Sequence, residues 1–102
     1  MSQWINNGDI VQHFKRGSKP ASDLAYCYVV LDDNVIHTET KERHVVYQAL
    51  YGDNNKYCRP YDMFMSEVDR EKYPDVKQKY RLELITDSEL LSNCKEFLKT
   101  LR

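Results

Sequence analysis

Turn signals cut most of this chain into short strand-length runs, and the clearest helical period appears only at its end. Asn6-Asn7-Gly8-Asp9 reads as a turn. Ile10 to Phe14 then alternates Ile10, Gln12 and Phe14 against Val11 and His13, the period of a half-buried strand. Lys15 to Asp23 holds Gly17, Ser18, Pro20 and Ser22 and reads as a loop. Ala25 to Leu31 is continuously apolar and aromatic, which predicts a central strand. Asp32-Asp33-Asn34 is a turn signal, Val35 to Thr38 a short strand, and Glu39-Thr40-Lys41-Glu42 a polar hairpin connection. Arg43 to Tyr51 is the longest strand candidate. Gly52-Asp53-Asn54-Asn55 turns the chain, and Lys56 to Arg59 returns as a strand. Strands spaced in this way predict a mainly β domain, and a small barrel in particular.

After Pro60, which suits the first turn of a helix, one helical turn is expected to place Met63 and Phe64 inward. Glu67-Val68 would add a last short strand. Asp69 to Lys79, charged and carrying Tyr73-Pro74-Asp75, reads as an exposed linker, and Tyr80 to Ile85 as a strand or an extended strap. Thr86 and Glu89 have capping-box spacing. Leu90, Leu91, Cys94, Phe97, Leu98 and Leu101 then recur at three- and four-residue intervals, with Lys95, Lys99 and Arg102 toward the end where the helix dipole favours cations. That apolar stripe has to be buried, on the barrel or on a second subunit. The expected organisation is residues 1–85 as a barrel domain with an extended tail, and 86–102 as an amphipathic helix packed on it.

A chain of 102 residues makes one domain. With 41% apolar and 30% charged residues it belongs to the ordinary folded class rather than the disordered one. Fifteen basic and sixteen acidic side chains leave a net charge of -1, so no global field draws it to duplex nucleic acid or an anionic membrane. No apolar run is long enough to span a bilayer, and Met1 to Gly8 lacks the features of a secretory signal. Three distant cysteines, Cys27, Cys58 and Cys94, form no CxxC pair and fit a reducing cytoplasm. Eight tyrosines, against three phenylalanines and one tryptophan, predict either strand-forming barrel walls or a wet aromatic surface.

Chemistry-bearing clusters are few. His37 and Glu39, two apart in a strand, would share a face and with it a proton or a metal. A zinc site needs a third ligand; His13 and His44 are the candidates, and nothing in the sequence brings them together. The competing reading is a hairpin end where Thr38 and Glu39 bond backbone groups. No Ser-His-Asp or Cys-His arrangement is supported, Cys27 and Cys94 read as core, and the three scattered glycines make no phosphate loop. Neither metal nor cofactor is implied. A binding surface is the stronger reading. Tyr47 and Tyr51, four apart, would share a strand face with Val45 and Ala49, Arg59 would lie on the neighbouring strand, and Lys15 would approach from the first. Aromatics with cations stack a base, clamp a phosphate or carboxylate, or dock a peptide. In the competing reading Tyr47 and Tyr51 line the core, and Arg59 pairs with Glu39 or Asp62.

The runs Gly8-Asp9-Ile10-Val11-Gln12-His13-Phe14-Lys15, His37-Thr38-Glu39-Thr40, Val46-Tyr47-Gln48-Ala49-Leu50-Tyr51-Gly52 and Arg59-Pro60 with Met63-Phe64 resemble the bacterial and phage family called domain of unknown function 1653. The resemblance covers about Gly8 to Val68, and Lys72 to Arg81 resembles a tail that many members carry. It implies a small SH3-like barrel and no known reaction. Arg16 to Ala25 is longer than the family's usual short glycine turn, Cys58 is unusual at its position, and the terminal helix is an extension. The resulting expectation is a cytoplasmic, non-enzymatic binding module whose groove, built by Tyr47, Tyr51, Arg59, Lys15 and the His37–Glu39 hairpin, meets a protein or peptide. A nucleotide or single-stranded nucleic acid is the alternative, and a small metal-dependent enzyme comes last. No membrane contact is expected. The chain would be a monomer, or a homodimer through its helix.

Overall fold

A computed structural model describes residues 4–101. Five strands, β1 (Ile10–His13), β2 (Cys27–Ile36), β3 (Arg43–Ala49), β4 (Lys56–Pro60) and β5 (Leu82–Leu84), form one antiparallel sheet in the order β4-β3-β2-β1-β5. A single helical turn, α1 (Tyr61–Phe64), follows β4, and α2 (Ser88–Thr100) ends the chain. The fold is mainly β with one C-terminal helix. It is compatible with an SH3-like barrel but not closed, since no pairing joins β4 to β5 among the described residues.

The continuous apolar run that opens β2 is explained by cover on both faces of the sheet. Tyr28 and Val30 join Val11, Val45, Tyr47, Ala49, Leu82 and the fully buried Phe64 of α1 in one cluster. Cys27 and Val29 join Ile10, Leu50, Ile85 and the α2 residues Leu90 and Cys94 in the other. The register enforces this division, with Val11 opposite Tyr28, Ile10 opposite Val29, and Val30 opposite Tyr47. Side chains alternate faces along a strand, so a strand sandwiched between two covers has no polar alternation to show. Each fully buried Val, Leu or Phe contributes roughly 1.5–3 kcal/mol relative to exposure. The apolar stripe of α2 is turned onto its own sheet, and Asn93 donates to the Ala21 carbonyl at 2.9 Å, tying the helix to the loop before β2.

Several expectations are corrected. Met63 is 48% exposed while Phe64 is fully buried, because neighbours on a helix point about 100° apart and only one can face the sheet. Asp32–Asn34 makes no turn. β2 runs through it with two register shifts, and the Asp32 carboxylate accepts from the Asn34 N–H at 3.0 Å. β2, not the run Arg43 to Tyr51, is therefore the longest strand; that run ends as a strand at Ala49. Phe14 lies in a 3-10 turn (Phe14–Arg16) rather than in β1. Glu67 makes only an isolated bridge, with Tyr80. The cap of α2 is Asp87, not Thr86: its Oδ1 accepts from the N–H groups of Glu89 (3.0 Å) and Leu90 (3.2 Å). Arg102, expected among the cations at the helix end, lies outside the described residues.

The segment Asp69 to Lys79 is a folded strap, not a linker. Val68 N–H donates to Lys79 O and Arg81 N–H to Ser66 O, both at 2.9 Å, which closes the base of the strap. Arg70 donates to the carbonyls of Val76 and Gln78, gathering its far end. Gln78 then donates to the Gln12 carbonyl at 3.1 Å, and the Tyr73 ring lies 4.8 Å from Phe14. The long loop before β2 is held differently. Arg16, 4% exposed, donates to the carbonyls of Ala25 (2.7 Å), Pro20 (3.0 Å) and Lys19 (3.4 Å), so a charge that cannot be shed is satisfied entirely by backbone oxygen.

Candidate anion-binding concavity

His13 ends β1, and its Nδ1 accepts the Lys15 N–H at 3.1 Å. That bond caps the 3-10 turn and leaves the proton of a neutral ring on Nε2. Burial first, then the charges of Arg59, Lys15 and Arg81, lower the His13 pKa to about 4, so the ring is neutral near pH 7. Beside it, Tyr26 accepts the His13 N–H at 2.9 Å through its carbonyl and adopts φ 63°. A bulky aromatic residue rarely takes the left-handed region, at a cost of roughly 1–2 kcal/mol. Here the Arg16 bond to the Ala25 carbonyl holds the preceding residue. The Tyr26 ring lies 5.9 Å from His13 and 5.8 Å from Tyr51.

Across the sheet, Tyr57 pairs with Tyr47 and Arg59 with Val45, so Tyr57 and Arg59 stand on the face that carries the first core cluster. Tyr28 and Tyr47 meet edge-on at 5.3 Å, and Tyr47 leans on Phe64 at 5.2 Å. Tyr28, Tyr47, Tyr57 and Arg59, together with His13, Lys15 and Tyr26, line a concavity of about 260 Å³. A second hollow of about 210 Å³ adjoins it, lined by Arg81, Lys72, Tyr73, Asp69 and Phe14, and shares His13, Lys15 and Arg59. A larger groove of about 750 Å³ runs on between the 3-10 turn and the strap, with Lys77, Asp75 and Glu83 in its walls. The Glu83 carboxylate there is occupied by the N–H groups of Lys79 (2.9 Å) and Tyr80 (2.8 Å).

The seam between the two smaller hollows is electropositive. One terminal nitrogen of Arg59 and the Nε of Arg81 are buried without a hydrogen-bond acceptor. The ion pairs among the described residues join Arg43 to Asp33, His44 to Glu42 and Lys99 to Glu96, and none involves Arg59, Arg81 or Lys15. Asp69, the carboxylate in the seam's wall, accepts the N–H groups of Glu71 and Lys72 instead. Buried donors of this kind are costly unless an acceptor reaches them. The aromatic wall is neutral: burial, then its hydrogen bond to Tyr51, raises the Tyr28 pKa, and burial raises that of Tyr47.

Of the residues singled out from sequence, Tyr47, Arg59 and Lys15 meet in the concavity, with Tyr47 as its buried floor. Tyr51 lies beyond the end of β3, so the strand-face argument for it does not hold. Its hydroxyl sits 2.6 Å from that of Tyr28, and it braces the wall from behind. Arg59 pairs with neither Glu39 nor Asp62. His37 and Glu39 are not on a strand. They occupy the turn after β2, where His37 Nδ1 accepts the N–H groups of Glu39 and Thr40, both at 3.2 Å. His44 lies 5.8 Å from His37, but His13 is in the concavity, and the described residues hold no group of three or more His, Cys, Asp or Glu able to take a metal. The sequence reading missed Tyr26, Tyr28, Tyr57 and Arg81, and weighed His13 only as a metal ligand. The two-residue spacing of Tyr57 and Arg59 was the available signal.

Residues 9–83 match the sequence model of a family described as a protein of unknown function, DUF1653. The chain belongs to this family. No curated protein and no solved structure matches it. The DUF1653 match takes in the strap and every residue that lines the two hollows, and it stops before α2.

Proposed function

We propose that this DUF1653 chain is a non-enzymatic binding module that receives an oxyanion of its partner in the seam where Arg59, Arg81 and Lys15 surround His13. One observation carries the reading: two guanidinium groups bury nitrogens with no acceptor in the hollow they share with His13, whose ring burial first, and then their charge, keeps neutral. An oxyanion placed there would accept from Arg59, Arg81 and the His13 Nε2–H, turning a costly set of orphan donors into charge-assisted bonds. An acidic group on a protein or peptide and the phosphate of a nucleotide present such oxygens alike. The apolar face of α2, already covered by its own sheet, favours a monomer, and the free thiols of Cys27 and Cys94 in the core fit a reducing compartment such as the cytoplasm.

The test is thermal unfolding at constant ionic strength in chloride, sulfate, phosphate or citrate. Multivalent oxyanions stabilise any fold somewhat by exclusion from its surface, so they are expected to raise the Tm of the native chain more than that of an Arg59→Gln, Arg81→Gln variant checked by circular dichroism. Equal Tm shifts in native chain and variant refute the reading.

A further inference from the structure

Resting on that oxyanion site, we propose that its ligand is a mononucleotide, with the phosphate in the seam and the base against the exposed ring of Tyr57.

Charge decides for phosphate. Arg59, Arg81, Lys15 and Lys72 line one hollow with His13 against a single carboxylate, Asp69, whose Oδ1 is turned to the backbone N–H groups of Glu71 and Lys72. A carboxylate carries a single charge and is filled by one guanidinium fork, which would leave the second guanidinium and the lysine unmatched. A phosphomonoester carries about -1.5 to -2 and three acceptor oxygens, enough for both arginines and the Nε2–H of His13 from different directions.

The neighbouring wall decides for a flat body. Tyr28 and Tyr47 are buried and use their faces and edges on one another. Tyr57 leans on Tyr47 at 5.9 Å but is 44% exposed, so it keeps ring surface for a base. Tyr57 and Arg59 stand two residues apart on one face of β4, which places ring and guanidinium side by side, as a base and its phosphate require. Tyr26, held with φ at 63°, closes the wall opposite.

Size and surroundings decide for one nucleotide rather than a strand. The aromatic hollow holds about 260 Å³. Beyond the seam the larger groove sets Asp75 and Glu83 against Lys77, which offers no continuous cationic track for a polyanion.

The experiment is calorimetric titration of the full chain with the four common nucleoside 5′-monophosphates, with ribose 5-phosphate, inorganic phosphate, adenosine, O-phosphotyrosine and a 5′-phosphorylated tetranucleotide. At least one mononucleotide is expected to bind about tenfold or more tighter than ribose 5-phosphate, the scale of one base stacked on an aromatic ring, and adenosine more weakly still. Tyr57→Leu should reduce that mononucleotide to the ribose 5-phosphate level, Tyr57→Phe should retain it, and Arg59→Gln should weaken both phosphates. If ribose 5-phosphate or inorganic phosphate equals the nucleotides, the oxyanion site stands and the nucleotide inference is overturned. Tightest binding of O-phosphotyrosine, or of the tetranucleotide, overturns it in favour of a phosphoprotein or a strand. If no phosphate binds while sulfate or citrate still stabilises the native chain more than the double arginine variant, the inference alone is overturned. If no anion binds and none separates the native chain from that variant, the oxyanion reading falls with it.

Discussion

Replacing His13 by Asn removes a titration that the folded chain opposes. In the unfolded chain the imidazole takes its proton near pH 6.5. In the fold it does so only near pH 4, because burial and the charges of Arg59, Lys15 and Arg81 disfavour the imidazolium. A lowered folded-state pKa means that the unfolded state binds the proton first as the pH falls. Stability is therefore undiminished above pH 6.5, is lost between 6.5 and 4, and falls no further from this group below 4. At 1.36 kcal/mol per pKa unit, the interval amounts to about 3 kcal/mol, reduced to roughly 2 by the solvent that reaches a half-buried ring. Many carboxylates titrate in the same window, so the observable is the difference between native chain and variant. Asn suits the comparison, since its Oδ1 takes the place of Nδ1 in accepting the Lys15 N–H. Urea unfolding in steps from pH 7.5 to 4.0 should give a constant difference above pH 6.5 and a loss of about 2–3 kcal/mol, borne by the native chain alone, between 6.5 and 4. Parallel pH profiles, or a His13 resonance that titrates near 6.5 in the folded state, would refute the crowding of cations around this ring.

Arg16→Met leaves the carbonyls of Ala25, Pro20 and Lys19 without their donor and should cost roughly 2–3 kcal/mol in urea unfolding. Phe64→Ala empties the fully buried centre of the first cluster, for a loss of about 3–5 kcal/mol in the same assay. Asp87→Ala should cost about 1 kcal/mol by removing the cap of α2, whereas Thr86→Ala should stay within about 0.5 kcal/mol; calorimetric Tm values separate the two.

What was legible in the chain was whatever a local period can carry. The apolar opening of β2 records cover on both faces, and the three- and four-residue spacing from Leu90 to Leu101 records which side of α2 is covered. The alternation of Ile10 to His13 locates β1 but misreads it as half-buried, since Ile10 and Val11 are buried on opposite faces. The misreadings begin where two non-local facts compete with a local one. Asp32-Asp33-Asn34 has turn composition, but the pairing with β3 carries the strand through it by two bulges. The polar strap resembles a linker until Gln78 is seen to bond Gln12, sixty-six positions away. Met63 and Phe64 are both apolar, and only the direction of α1 chooses between them. The concavity is less legible still, because His13, Tyr26, Arg59 and Arg81 come from four separate segments, and only the register of β3 with β4 and the closure of the strap bring them to one seam.

The family match ends at residue 83, yet the sheet face built by Ile10, Cys27, Val29 and Leu50 depends for its cover on Leu90 and Cys94, farther along the chain. The concavity opens on the other face. Recognition and enclosure are thus assigned to opposite sides of one sheet and to different stretches of sequence. Cut after Ile85, the chain would bare a run of apolar strand to water and would be driven to self-associate. Left whole, it offers a helix whose outer residues Ser92, Lys95, Glu96 and Lys99 are exposed and remote from the seam. That helix is a place where a tether, a label or a second domain can be attached without disturbing what the tyrosines and arginines hold.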